Sequence, residues 1–210
     1  MQIETLKYSI KMGGRILGEQ WWQVTPEPRH WVTRVQTNFN KGFLGGGLKI
    51  QVSKMHPQSR VSAHYTETTE GEALGKGHFE TVFDRKQGLV IVRQGRDEAS
   101  VPMVQGFHDP ISLLQSLRFL PEGFEYMCVP MVGAHVHVLP WTGPLETGIR
   151  SYSLRPGRVT VHIETESPNR IVRLIQPIGR DLIEVSLMES QTGTEYMQTK
   201  KKRRTRKTKP

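Results

Sequence analysis

Cysteine is almost missing from this chain: Cys128 is the only one in 210 residues. A single thiol excludes an internal disulfide framework and any zinc site built on cysteine pairs. Its neighbours Tyr126, Met127, Val129 and Pro130 are largely apolar, the setting of a buried, inert thiol. Long apolar runs are missing too. Nowhere do about 18 apolar residues follow one another, so no membrane-spanning helix is expected. The first twelve residues alternate in polarity and lack the apolar stretch of a secretory signal. The expected location is therefore cytoplasmic, or the periplasm or cell envelope if the natural start lies upstream.

Catalytic signatures are equally scarce. The chain has no Gly-x-Ser-x-Gly nucleophile elbow. Gly45-Gly46-Gly47-Leu48-Lys49 and Gly75-Lys76-Gly77 lack the Gly-Lys-Ser/Thr ending and following helix of a phosphate loop, and read as hairpin turns. His108, Asp109 and Ser112 have the residue types of a triad, but Asp109 and Ser112 suit a helix cap better. No catalytic residue and no cofactor is assigned.

Charge of one sign is absent from one segment only. The formal net charge is +9, yet Lys200, Lys201, Lys202, Arg203, Arg204, Arg206, Lys207 and Lys209 fall in the last eleven residues, which contain no acid. The rest of the chain holds 21 basic and 20 acidic residues, a net charge of +1. The basic character is thus local, and self-repulsion is expected to keep that segment extended. The expected organisation is one β-rich domain over residues 1–189 and a disordered basic tail over 190–210. The tail fits three roles: solubilising the domain, tethering it to nucleic acid by counterion release, or holding it to an anionic membrane surface. In a eukaryotic cell it would also read as a nuclear address.

What is abundant is turning and alternation, with 20 Gly and 13 Pro. Leu6, Tyr8, Ile10 and Met12 alternate with Lys7, Ser9 and Lys11, the period of a half-buried strand. Leu48, Ile50 and Val52 alternate in the same way with Lys49, Gln51 and Ser53. Further strands are expected near 19–25, 30–39, 60–68, 77–84, 88–93, 124–129, 134–139, 146–154, 158–165, 170–175 and 181–188. One segment changes period. Asp109 suits an N-cap, Pro110 the first helical position, and Ile111, Leu113, Leu114, Leu117 and Leu120 recur at helical spacing before Pro121 and Gly123. A helix of about three turns over 109–120 is expected. The fold class is therefore mainly β: a bent antiparallel meander or half-open barrel with one central helix packed on it.

The order of these features resembles the bacterial domain of unknown function 3108 family, whose members are mostly exported. The resemblance rests on Tyr8 to Glu19, a strand followed by glycine-containing turns. It rests also on Asp109-Pro110-Ile111-Ser112-Leu113-Leu114-Gln115-Ser116-Leu117-Arg118, a helix of the type Asp-x-hydrophobic-Ser-x-Leu-x-x-x-Arg, and on the closing run Asn169 to Gly179. It implies a strongly bent sheet around a helix, similar in architecture to bacterial lipoprotein carriers, and no established activity. The missing export signal and the added basic tail depart from that pattern.

Three functional expectations follow. The first is a non-enzymatic β domain that binds a ligand or partner and is tethered electrostatically to nucleic acid through the tail. The second is a carrier or scaffold of the cell envelope with a cavity for a lipophilic ligand. Trp21, Trp22, Trp31, Trp141, Phe39, Phe43 and Phe79 would line that cavity or else pack as core and rim. The third is a metal-dependent enzyme on the face that His135 and His137 share at i and i+2, with His162 or Glu164 as a further ligand. Arg118 suits the helix dipole or a carboxylate partner, and Glu164 and Glu166 are a candidate carboxylate pair. The tether has a direct check: in a salt-titrated nucleic-acid shift assay the full chain should bind weakly and with steep salt dependence, and a chain ending at Thr199 should not. Equal binding by both would refute it.

Overall fold

The computed structural model describes residues 2–72, 74–144 and 146–193. Eight strands come first: β1 (Ile3–Met12), β2 (Arg15–Pro26), β3 (Trp31–Phe39), β4 (Gly47–Met55), β5 (Ser62–Glu70), β6 (Gly77–Asp84), β7 (Leu89–Gln94) and β8 (Asp97–Pro102). A single-turn helix, α1 (Lys41–Leu44), lies between β3 and β4, and α2 (Pro110–Leu117) follows β8. Six more strands follow: β9 (Met127–Met131), β10 (Ala134–Pro140), β11 (Ile149–Arg155), β12 (Val159–Glu164), β13 (Ile171–Ile178) and β14 (Asp181–Gly193).

All fourteen strands join one sheet in the order β8-β7-β6-β5-β4-β3-β2-β1-β14-β13-β12-β11-β10-β9. Two antiparallel meanders are thus joined at the centre, where β1 pairs with β14 from Ile3↔Gly193 to Met12↔Ile183. The outer edges are β8 and β9. Laid flat, such a sheet would be about 65 Å wide, yet α2, about 12 Å long, contributes to the cores of both halves. Ile111 packs with Leu6, Tyr8, Trp22, Tyr65 and Phe83 of the first half. Leu113 and Leu117 pack with Val138, Tyr152, Val161 and Ile163 of the second, and Leu114 touches both clusters. Only a sheet curled round the helix allows this.

Local chemistry sets α2 in place. Asp109 caps it by accepting from the N–H groups of Ile111 and Ser112, Ser112 returns a capping-box contact, and Pro110 occupies the first turn. The helix is two turns rather than the expected three. Phe119 N–H donates to Ser116 and Leu120 N–H to Leu117, i→i−3 bonds that tighten the chain out of α geometry. The carbonyls freed there accept from Arg150, which donates to Arg118 O and Leu120 O.

At this end Arg118, 4% exposed, makes use of all five of its donors. It forms a bidentate pair with Glu4 of β1 at 2.7 and 3.0 Å and donates to Gln115 Oε1, Pro168 O and Asn169 O. Of the two sequence readings of Arg118, the carboxylate partner is the one observed. The pair ties the helix to the centre of the sheet and to the β12–β13 turn.

Several expectations are corrected. The last strand runs to Gly193, past the expected boundary at 189, because Ser190 to Gly193 pair with Ile3 to Leu6 through the backbone and need no apolar side chains. Strand β8 was not expected: all six of its residues are exposed, so it carries no burial pattern. Cys128 is exposed rather than buried, since on the edge strand β9 its neighbour Val129 takes the inward position. In β4 the buried positions are Gln51, Ser53 and Met55, the opposite parity to the apolar set Leu48, Ile50 and Val52.

Replacing Arg118 by Met should leave buried Glu4 with only the more distant Arg170, at 3.7 Å, and cost about 3 kcal/mol in urea unfolding, with much of the loss recovered by adding Glu4→Gln. A cost below about 1 kcal/mol would show that the pair does not hold the helix.

Candidate functional site

At the N-terminal end of α2 the cap is the centre of a buried polar cluster. Asp109 Oδ1 accepts from the N–H groups of Ile111 and Ser112 at 2.9 Å, while Oδ2 accepts from Ser53 Oγ at 2.8 Å and Ser62 Oγ at 2.7 Å. Ser112 Oγ lies 2.6 Å from Ser62 Oγ and 3.1 Å from His108 Nδ1. Burial pushes the Asp109 carboxyl above its usual range, and the four accepted hydrogen bonds pull it back. Burial also lowers His108 to about 4, so its ring is neutral near pH 7. Two backbone bonds extend the cluster to the sheet, Ser62 N–H to Phe107 O and His108 N–H to Pro130 O. The segment entering the helix therefore bridges β5 to the opposite edge strand, β9.

This is not a catalytic triad. Ser112 is fully buried, and its hydroxyl is held among Ser62, His108 and the Asp109 backbone. A nucleophile must reach a substrate, and this one has no free approach.

Beside the cluster the concave face is not filled. One cleft of about 470 Å³ has Tyr65, Glu67, Thr81, Gln94 and His108 in its wall. Gln51 donates to Tyr65 and Glu67, and Tyr65 donates to Glu67 at 2.7 Å. A second cleft of about 340 Å³ is apolar, with Leu113, Leu114, Val136, Leu154, Leu174 and Val185 in its wall. Pro110 and Met131 line both, so the clefts meet at the first turn of α2. The first cleft thus mixes polar groups with the aromatic rings of Phe79 and Phe83, while the second is mainly apolar. Both volumes fall in the range of small-molecule sites, about 300–1,000 Å³.

The residues singled out in the sequence are dispersed. His135 is exposed and His137 half-buried, and both point away from the core that Val138 enters. His137 accepts or donates at 2.7 Å with Tyr126. His162 is buried on β12 and bonds Ser151 Oγ through Nδ1 at 2.7 Å. In register, His137 is level with Arg155 and His162 with Ser151, four residues apart along β11. That offset is about 13 Å along the strand direction, so the three rings do not converge. Among the described residues no group of three His, Cys, Asp or Glu is placed to hold a metal. Glu164 binds Arg170 while Glu166 faces solvent, so they form no carboxylate pair.

Of the aromatics, Trp22 is core, Trp21 lies outside beneath Lys7, and Phe79 lines the polar cleft. The side chain of Phe43 lies outside the described residues, as do the tail residues Lys200 to Lys209. Sequence reasoning missed Ser53, Ser62, Tyr65 and Glu67. The signal for the first was a polar residue on the strand face opposite the apolar set.

No family model matches the chain, and no curated protein matches it. Among solved structures it is similar to the crystal structure of a beta-barrel-like protein of domain of unknown function DUF1849 from Brucella abortus, with a TM-score of 0.60. That likeness covers 91% of this chain and 98% of the other at 8% identity. It establishes a mainly β, beta-barrel-like fold.

His108 gives this site a pH signature. Its folded pKa lies below its unfolded value near 6.5, so the unfolded chain binds more protons between about 4 and 6.5. Its contribution is fully present above that window and is lost as pH falls through it, an effect of about 3 kcal/mol. Replacement by Gln should flatten that limb of the stability–pH curve; an unchanged slope would contradict the assignment.

Proposed function

We propose that this domain is a non-enzymatic binding protein that holds an amphipathic, lipid-like molecule along α2. The observation that carries the reading is the meeting of the two clefts at Pro110 and Met131. An acyl chain fits the apolar wall of Leu113, Leu154 and Leu174, and a hydrogen-bonding head group fits the wall of Tyr65, Glu67 and His108. The geometry suits capture rather than reaction, because the polar groups there are fixed by one another and carry no free nucleophile. The carrier-like architecture implied by the resemblance to the domain of unknown function 3108 family supports the same reading.

A second reading concerns the tail. Eight cations without an acid, following 199 residues of net charge +1, favour an electrostatic tether of the loaded domain to nucleic acid. An anionic membrane is the other surface that such a segment suits. The truncation at Thr199 separates tail binding from ligand binding, since it leaves the clefts intact.

The ligand reading is tested with cis-parinaric acid, whose fluorescence rises in apolar sites. The full chain should bind it saturably at about micromolar concentration. Filling the cleft with Leu174→Trp should weaken binding roughly tenfold, about 1.4 kcal/mol, with circular dichroism unchanged. Absence of saturable binding, together with no lipid in native mass spectra of protein from cells, would refute the proposal.

A further inference from the structure

One end of the sheet exposes side chains that the rest of it keeps covered. The ladder registers draw a single row across the centre, Ser153–Thr160–Ile175–Glu184–Lys11–Ile16, running from β11 to β2. Just beyond that row, and all on the same side of it, the chain turns at 155–158, 178–181 and 12–15. Neighbouring turns are about 10 Å apart along the sheet, so the three form one continuous surface. Three large apolar side chains stand in solvent there: Ile16 is 60% exposed, Ile178 48% and Leu182 56%. Arg15, Arg155, Arg158 and Arg180 are exposed beside them and Lys11 is half-buried. Residues 11–16, 155–158 and 178–182 hold these five cations and one acid, Asp181. Among the described residues none of the five forms an ion pair. Glu184, in the row itself, is half-buried and accepts from Ser186. The neighbouring β3–β4 connection adds exposed Lys41, and exposed acids return only at Glu70 and Glu72 before β6.

A single exposed leucine is ordinary, but apolar side chains on adjacent turns, interleaved with unpaired cations, match the two layers of a bilayer interface. The aliphatic tips enter the acyl boundary while the guanidinium groups reach the phosphates. Nucleic acid would use the cations alone and leave Ile16, Ile178 and Leu182 in water. The apolar cleft opens at this same end, since Arg155, Gly157, Val159, Gln176 and Ile183 stand in its wall. Ile178 lies two residues past Gln176, on the same face of β13, and Leu182 adjoins Ile183. We propose that this end of the sheet docks on an anionic lipid bilayer, with Ile16, Ile178 and Leu182 inserted at the interface and the five cations on the phosphates. The mouth of the apolar cleft then faces the membrane, and an amphipathic molecule passes between bilayer and cleft without crossing water. The inference goes beyond the ligand reading and fails separately from it: cis-parinaric acid tests the cleft, whereas the docking test needs no bound ligand.

The test places an environment-sensitive nitrobenzoxadiazole label on the full chain. Cys128→Ser removes the exposed native thiol, and Ile16→Cys, Leu182→Cys or Glu27→Cys then supplies one labelling position at a time. Glu27 is exposed in the β2–β3 turn, at the opposite end of the sheet. With vesicles of phosphatidylglycerol and phosphatidylcholine the fluorescence should rise roughly twofold at positions 16 and 182 and stay unchanged at position 27. Vesicles of phosphatidylcholine alone should require roughly tenfold more lipid for the same response. Adding Arg15→Glu and Arg180→Glu to the chain labelled at 182 should roughly halve its response. Both are exposed, and should that chain not fold, the three labelled positions decide alone. If only the basic tail meets the vesicle, the protein will sediment with lipid while the labels at 16 and 182 stay silent, which overturns the proposal. Equal responses at 16 and 27, an undiminished response after charge reversal, or labels that respond to duplex DNA but not to vesicles overturn it as well.

Discussion

A sheet whose two edges never pair cannot hold its own curvature through its ladder alone, and that constraint governs the molecule. Closed barrels remove their edges by hydrogen bonding them together, whereas here β8 and β9 remain apart. The substitute is a helix fixed at both ends by buried polar groups. At its N-terminus Asp109 gathers Ser53 and Ser62 from adjacent strands of the first meander. At its C-terminus Arg118 grips Glu4 at the centre of the sheet, and Arg150 of the second meander donates to the carbonyls of Arg118 and Leu120 just past the helix. Apolar packing supplies most of the burial, but these contacts are directional and fix where the helix lies.

Because the helix is short, it divides the concave space instead of filling it. The first meander turns polar residues inward, among them Thr33, Thr37, Gln51, Ser53 and Thr81. Trp22 donates to Gln20, which donates in turn to Thr37, so the inner polar groups largely satisfy each other. The second meander turns inward Val138, Leu154, Val161 and Ile163. The first meander's inner face thus interleaves polar groups with an apolar core, and those polar groups are costly to bury without hydrogen-bond partners.

Much of this was legible in the chain. Period-2 alternation located most strands, and Asp109-Pro110 located the start of the helix, because these signals depend on near neighbours alone. Alternation gives the period of a strand but not the side on which the core lies, and β4 shows the difference: its apolar set faces outward. Strand β8 and the end of β14 are held by backbone pairing between polar residues, which leaves no mark in composition. The partnership of Arg118 with Glu4 joins distant parts of the chain, and nothing local in either residue announces it. The histidines failed for the related reason that spacing along one strand does not say which strand lies beside it.

The central pairing of β1 with β14 has a consequence for biogenesis. Every other ladder in the sheet joins strands that are neighbours in sequence, so each meander assembles by adding hairpins as the chain lengthens. The seam between them joins the first described strand to the last, the most distant pairing the topology contains. During translation β1 must therefore wait as an unpaired edge for on the order of ten seconds or more at ordinary elongation rates. Its unmatched backbone, with Leu6, Tyr8 and Ile10 on one face, is in that interval the surface most open to self-association or to a chaperone.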